Sequence, residues 1–116
     1  MVVQVTKFKN IMEIPEDKPH MATVRSWRVI TGEMIKNPNL KFIDDDIVPP
    51  GYAIKAHVDQ WDEIYYILTG RGEMTVGSEI ATASEGDVFH IPPNIQHSLK
   101  NIGMRDLRFI CFAIKQ

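Results

Sequence analysis

Cysteine is nearly absent, Cys111 being the only one in 116 residues. An intramolecular disulfide is therefore excluded, and no Cys-x-x-Cys pair exists for structural zinc or thiol redox chemistry. No apolar stretch approaches the roughly 20 residues that a membrane-spanning helix needs. Runs of one charge sign are short, the longest being Asp44-Asp45-Asp46. Thirteen basic residues against fifteen acidic ones give a net charge of −2, which argues against a phosphate-backbone binder with a clustered cationic face. The opening Met-Val-Val-Gln-Val-Thr-Lys lacks the basic-then-apolar order of a secretory signal. These absences lead to the expectation of one cytoplasmic domain with no nucleic-acid partner and no membrane partner. A chain of this size buries about two-thirds of its unfolded surface, enough to fold without cross-links.

Helical periodicity is scarce. Short β-branched and aromatic runs recur instead, cut by Gly, Pro, Asn and Asp. The pattern predicts strands over residues 22–30, 40–48, 52–58, 63–69, 73–76, 79–83, 87–91, 97–101 and 106–115, with Gly77-Ser78 as a hairpin turn. Strands this short and this closely spaced indicate an all-β chain, an antiparallel sandwich or barrel. Residues 1–20 read as an N-terminal arm carrying one strand over 2–8, and residues 21–116 as a single domain.

Two strands have informative faces. Over residues 52–59, strict alternation puts Tyr52, Ile54, Ala56 and Val58 on an apolar side, and Ala53, Lys55, His57 and Asp59 on the other. In the last strand both faces are apolar: Phe109, Cys111 and Ala113 on one, Ile110, Phe112 and Ile114 on the other. One of these belongs to the core. The other needs a cover, and a second copy of the chain, as a homodimer, is the expected one.

The most specific pattern is a pair of spaced motifs. The first runs Gly51, five residues, His57, one, Asp59, three, Glu63, six, Gly70; the second runs Gly86, five, Pro92, one, Asn94, two, His97, three, Asn101. Together they resemble the two signature motifs of the cupin family, and the 15 residues between them suit its small microbial members. Two positions depart from the family pattern. Asp59 stands where the family usually has a second metal-binding histidine, and Asn94 replaces a glycine. The second change is mild, since asparagine tolerates positive φ better than most residues.

The resemblance implies a cupin-type β-barrel, a jelly roll of two antiparallel sheets, holding a divalent metal through His57, Glu63 and His97 with Asp59 at the fourth place. The residue types agree with this independently. Two imidazoles and a carboxylate form the facial set of non-haem iron sites, with positions left open for water, oxygen or substrate. Asp59 either coordinates directly, reaches the ion through water, or orients a ligand imidazole. A second carboxylate balances a divalent charge and favours iron or manganese over copper, with zinc and nickel compatible.

Other residues have weaker assignments. Lys55, expected on the ligand face, either pairs with an acidic substrate group or with Asp59, or simply extends to the barrel mouth. Tyr65 shares the face of Glu63, where its phenol can donate to a bound anion or to Glu63. Trp61 lines the entrance or packs against the arm or a partner. Asp59, Lys55 and Tyr65 are the catalytic candidates. His20 and His90 match no motif position and read as ordinary surface or satisfied histidines, as Arg25 and Arg28 read as surface charges. The expected function is a metal-dependent enzyme acting on a small polar metabolite, of dioxygenase, isomerase or lyase type. The alternatives are a barrel that binds or senses a sugar or organic acid without turnover, and a metal-free barrel kept for assembly.

Overall fold

The computed structural model describes residues 4–17 and 23–115. Nine strands lie among them: β1 (Arg25–Thr31), β2 (Leu40–Val48), β3 (Ala53–His57), β4 (Asp62–Thr69), β5 (Gly72–Val76), β6 (Glu79–Ala83), β7 (Val88–Ile91), β8 (His97–Asn101) and β9 (Leu107–Ile114). They pair antiparallel into two sheets, a five-stranded one in the order β1-β2-β9-β4-β7 and a four-stranded one in the order β3-β8-β5-β6. The molecule is a jelly roll, as expected. Each of the nine strands predicted over residues 22–115 is present, with ends shifted by three residues or fewer.

The arm differs from expectation. Residues 4–8 form no strand, and the first regular element is a 3-10 turn, Ile11–Glu13, capped by Asn10. Residues 2–3 of the expected strand, and His20, lie outside the described residues. Further along, the arm joins the barrel where the Asp17 amide donates to the Ser26 carbonyl at 2.8 Å and Arg25 pairs with Glu16 at 2.9 Å. Among the described residues no helix is long and apolar enough to cross a membrane.

The two inner faces close on a core of Val48, Ile67, Met74, Leu99, Leu107 and Phe109, with Tyr65 stacked on Phe109 at 4.4 Å. In β9 the Phe109, Cys111 and Ala113 face is the buried one, and Ile110 and Phe112 on the outer face are only half-buried. The motif residue Asn101 is structural. Its buried amide donates to the carbonyls of Val48 and Arg105 and accepts from the Gly103 amide, each at 2.8 Å. Gly70, at φ 88°, makes the bend after β4, where a Cβ would stand 2.5 Å from the Asp106 carbonyl oxygen.

One strand breaks its expected alternation. Ile54 pairs with Leu99 and His57 with His97, so two residues of β3 oppose one of β8. This is a β-bulge, and it reverses the facing of everything after it. Ile54 and His57 therefore both turn inward, while Lys55 and Ala56 between them are exposed. The bulge aims the first motif histidine into the barrel.

Candidate metal centre

His57 ends β3, Asp59 lies in the following loop, Glu63 is the second residue of β4, and His97 opens β8. Antiparallel pairing sets His57 opposite His97, with ring centroids 4.3 Å apart. One donor atom from each of the four residues lies within 4.8 Å of all the others. Donors about 2.1 Å from one ion stand about 3–4.2 Å apart, so the cluster is near the size of a coordination shell.

Both imidazoles are held alike. His57 Nδ1 donates to the Lys55 carbonyl at 2.8 Å, and His97 Nδ1 to the Ile95 carbonyl at 3.0 Å. A carbonyl oxygen only accepts, so each Nδ1 carries a proton, and in the neutral ring the Nε2 lone pair faces the cluster. The loop is fixed from outside it. The Asn94 amide, in a turn where that residue sits at φ 63°, donates to the Asp59 carbonyl at 2.7 Å. Asn94 thus adopts the positive φ for which the family uses glycine.

Asp59 Oδ2 stands 3.2 Å from His57 Nε2 and 3.5 Å from His97 Nε2. The hydrogen bond to Asp59 outweighs desolvation and raises the His57 pKa above the ordinary value. Burial works upward on the Asp59 carboxyl, but the hydrogen bond with His57 carries it below the ordinary value.

Glu63 Oε1 and His97 Nε2 lie 3.1 Å apart in residues only 4% and 1% exposed, and neither atom has a hydrogen-bond partner. Leaving a buried polar atom unsatisfied costs about 1–3 kcal/mol. Two such atoms side by side, both lone-pair donors, are what a bound cation would satisfy. The donor set therefore fits a divalent ion. The other carboxylate oxygen of Glu63 is occupied: Trp61 Nε1 and Cys111 Sγ each donate to Oε2 at 3.3 Å.

The cluster opens on a cavity of about 750 Å³ between the sheets. Tyr65 lines it, edge-on to His97 at 6.3 Å, and its phenol is held protonated by burial, which drives the pKa well above the ordinary value. Lys55 does not line it; the bulge leaves that side chain exposed on the outside of β3. Trp61 stands at the mouth, edge-to-face with Phe42 and beneath the Lys41 ammonium, 4.4 Å from its ring. His90 is exposed and paired with Asp62 at 2.7 Å, away from the cavity.

Sequence reasoning missed the opposite wall. Ser26, Arg28, Asp44 and Asp46 all line the cavity, so Arg28, though exposed, is also part of the cavity wall. Its guanidinium makes a two-pronged bond to Asp44, at 3.0 and 3.1 Å, and lies 4.0 Å over the Phe42 ring. Desolvation raises the Asp44 pKa despite that partner. Asp46 is pushed up to about 8, by burial first and then by Asp44, Asp45 and Glu63, against the Ser26 hydrogen bond. The signal was the parity of β2: Phe42, Asp44, Asp46 and Val48 share one face, and two of the four belong to the core.

A two-sheet barrel with histidines and carboxylates converging inside one mouth defines a class of metal-site scaffold. The family model for the cupin domain matches residues 46–113, and the chain belongs to the cupin family. It is 34% identical over 68 residues to an oxalate-binding protein of Thermotoga maritima, covering 58% of this chain and 56% of that protein. It is 42% identical over 66 residues to an uncharacterized protein of Methanocaldococcus jannaschii, covering 56% of this chain and 53% of the other. The chain thus spans about half the length of the curated relatives it matches. Among solved structures, a predicted oxalate decarboxylase from Thermotoga maritima superposes with a TM-score of 0.83 at 24% identity, covering 96% of this chain and 100% of that one. An RmlC-like cupin from Shewanella frigidimarina gives 0.78 at 15%, covering 97% and 94%. At these identities the likeness shows the fold.

Proposed function

We propose that this cupin binds a divalent metal, iron or manganese before zinc or nickel, through His57, Asp59, Glu63 and His97, and uses it as an enzyme on a small polar metabolite. The reaction is of dioxygenase, isomerase or lyase type. The observation that carries this reading is the buried, partnerless pair Glu63 Oε1 and His97 Nε2, 3.1 Å apart. A divalent ion in that position supplies Lewis acidity toward a substrate oxygen. The chain does the rest. Backbone carbonyls fix both imidazoles, Trp61 and Cys111 fix Glu63, and Asp59 lies beside the cluster, where it can accept a proton if it is not itself a ligand. The relative described as oxalate-binding supports an oxygen-rich acid as ligand, and as a binder it also supports a reading without turnover.

Elemental analysis of protein purified without chelator or nickel resin tests the metal, beside a His57→Ala/His97→Ala variant. Near-stoichiometric metal in the native protein, absent from a folded variant, is expected. No metal even after reloading overturns the reading. A second copy covers the outer face of the five-stranded sheet in the same proposal, because Ile110, Phe112, Ile64 and Ile43 are half-buried there and Tyr66 is 43% exposed. Phe112→Glu should then yield a monomer in light scattering.

A further inference from the structure

A second cavity of about 530 Å³ lies beyond the mouth of the first, under the loop between β1 and β2. The two spaces share Arg28, Lys41 and Phe42 as walls, so they are neighbours rather than separate sites. Their chemistry is opposite. The metal cavity is lined by the carboxyl groups of Asp44, Asp46, Asp59 and Glu63, whereas the outer one brings Lys36, Lys41 and Lys115 together with Arg28. Among the described residues Glu33 is the one carboxylate in that outer lining, in a chain whose net charge is −2. The lysines come from three places: the β1–β2 loop, the start of β2 and the residue after β9.

Strand register gives the spacing. Glu63 pairs with Ala113, Ala113 with Phe42, and Phe42 with Thr31, in one row across the sheet. Neighbouring strands are about 4.8 Å apart, so Phe42 stands about 10 Å from Glu63 and Thr31, which lines the outer cavity, about 14 Å. Between the two ends, the hydroxyl of Ser26 and the carboxyls of Asp44 and Asp46 offer hydrogen-bond partners to a ligand lying along the wall.

We propose that the outer lysine pocket is the tail subsite of the metal cavity: the ligand is an elongated hydroxylated acid of sugar-acid size, with an oxygen-rich head at His57, Asp59, Glu63 and His97 and an anionic group, carboxylate or phosphate, at its far end. Its head end rests on the metal reading above. A two-carbon diacid cannot span the two stations. A six-carbon chain with a terminal anion is about 10 Å long, and Lys36, Lys41 and Lys115 meet that terminus with compact, mobile charges suited to either anion.

Three probes that differ only at carbon six decide it: gluconate, glucarate and 6-phosphogluconate, titrated calorimetrically into manganese-loaded protein. Glucarate or 6-phosphogluconate should bind at least tenfold more tightly than gluconate, and which of them is tighter identifies the tail anion. In a Lys36→Ala/Lys115→Ala variant that advantage should fall to within twofold, with gluconate affinity unchanged. Equal affinities in the native protein, an advantage that survives the lysine changes, or no binding of any probe would each overturn the proposal. Failure of manganese to bind would instead fall on the metal reading. The lysine pocket is then read on metal-free protein with inorganic phosphate, by the Trp61 emission of a Trp27→Phe variant, because Lys41 lies over that ring. A saturable change lost in the lysine variant supports the subsite, and its absence overturns it.

Discussion

The thiol of Cys111 lies 3.3 Å from Oε2 of Glu63, on the side of that carboxylate facing away from the histidines. Trp61 Nε1 donates to the same oxygen at 3.3 Å, so Oε2 is held twice while Oε1 turns to His97. Burial and neighbouring carboxylates raise the Cys111 pKa well above the ordinary value, which keeps the S–H available to donate. The sulfur and the indole therefore position a proposed ligand. Loss of such an outer partner typically costs about 10–100-fold in metal affinity. Cys111→Ala and Trp61→Phe should each weaken manganese binding about tenfold in a calorimetric or paramagnetic titration. Cys111→Ser, which keeps a donor, should recover most of the loss. Native affinity in both Cys111→Ala and Trp61→Phe would show that Glu63 needs neither.

Asp46 makes stability depend on pH in a direction opposite to the usual paired carboxylate. Its folded-state pKa is raised to about 8, chiefly by burial. Between the ordinary aspartate value and about 8 the folded chain holds a proton that the unfolded chain has released. Stability therefore falls as pH rises through that window and levels off above it. Asp46→Asn removes the titration while keeping the shape. Denaturant melts should show the variant more stable than the native protein at pH 8.5, by roughly 4–6 kcal/mol, with the difference vanishing near pH 4. A constant offset at all pH values would mean that Asp46 is ionised throughout.

Strand ends and motif geometry were legible because single residues mark them. Gly51, Gly70, Gly77 and Gly86 all take positive φ, and Asn94 does so where the family has glycine. The spacing of His57, Glu63 and His97 survives folding because each sits at or near the end of a strand and is delivered to the same mouth. The bulge in β3 was not legible. A strict two-residue period through Ile54, Lys55, Ala56 and His57 places Lys55 with His57, and no glycine marks the extra residue that separates them. Arg28 escaped notice for a different reason. Its partner Asp44 lies 16 residues away on a paired strand, and only the pairing register joins them.

That Arg28–Asp44 pair is a structural dependence as well as part of the cavity wall. Asp44 is 6% exposed, and removing the guanidinium leaves its charge buried without a partner. Arg28 keeps 41% side-chain exposure, so solvent compensates in part. Arg28→Met should destabilise by about 1–3 kcal/mol. The double change Arg28→Met/Asp44→Asn should recover at least half of that in chemical denaturation. Equal losses in the single and double variants would assign the effect to packing over Phe42 instead.

Asp59 is where this chain departs from the usual ligand set, and its placement yields the sharpest test of the centre. A single oxygen, Oδ2, stands within 3.5 Å of the Nε2 atoms of both His57 and His97. Without metal, a protonated His57 Nε2–H donates to this oxygen; an ion takes the Nε2 lone pair in place of that proton, so with metal Asp59 must either coordinate or withdraw. A coordinating carboxylate contributes charge and a hard oxygen, both lost in Asp59→Asn and exchanged for a softer nitrogen in Asp59→His. Manganese affinity should fall about tenfold or more in Asp59→Asn. In Asp59→His, preference should shift from manganese toward nickel and zinc in a competition titration, since a third imidazole suits those ions better. If Asp59 withdraws on loading, Asp59→Asn should instead bind manganese as well as or better than the native protein, because a competing interaction with both histidines has been weakened. The two outcomes differ in sign, so one titration series separates a ligand from a gate.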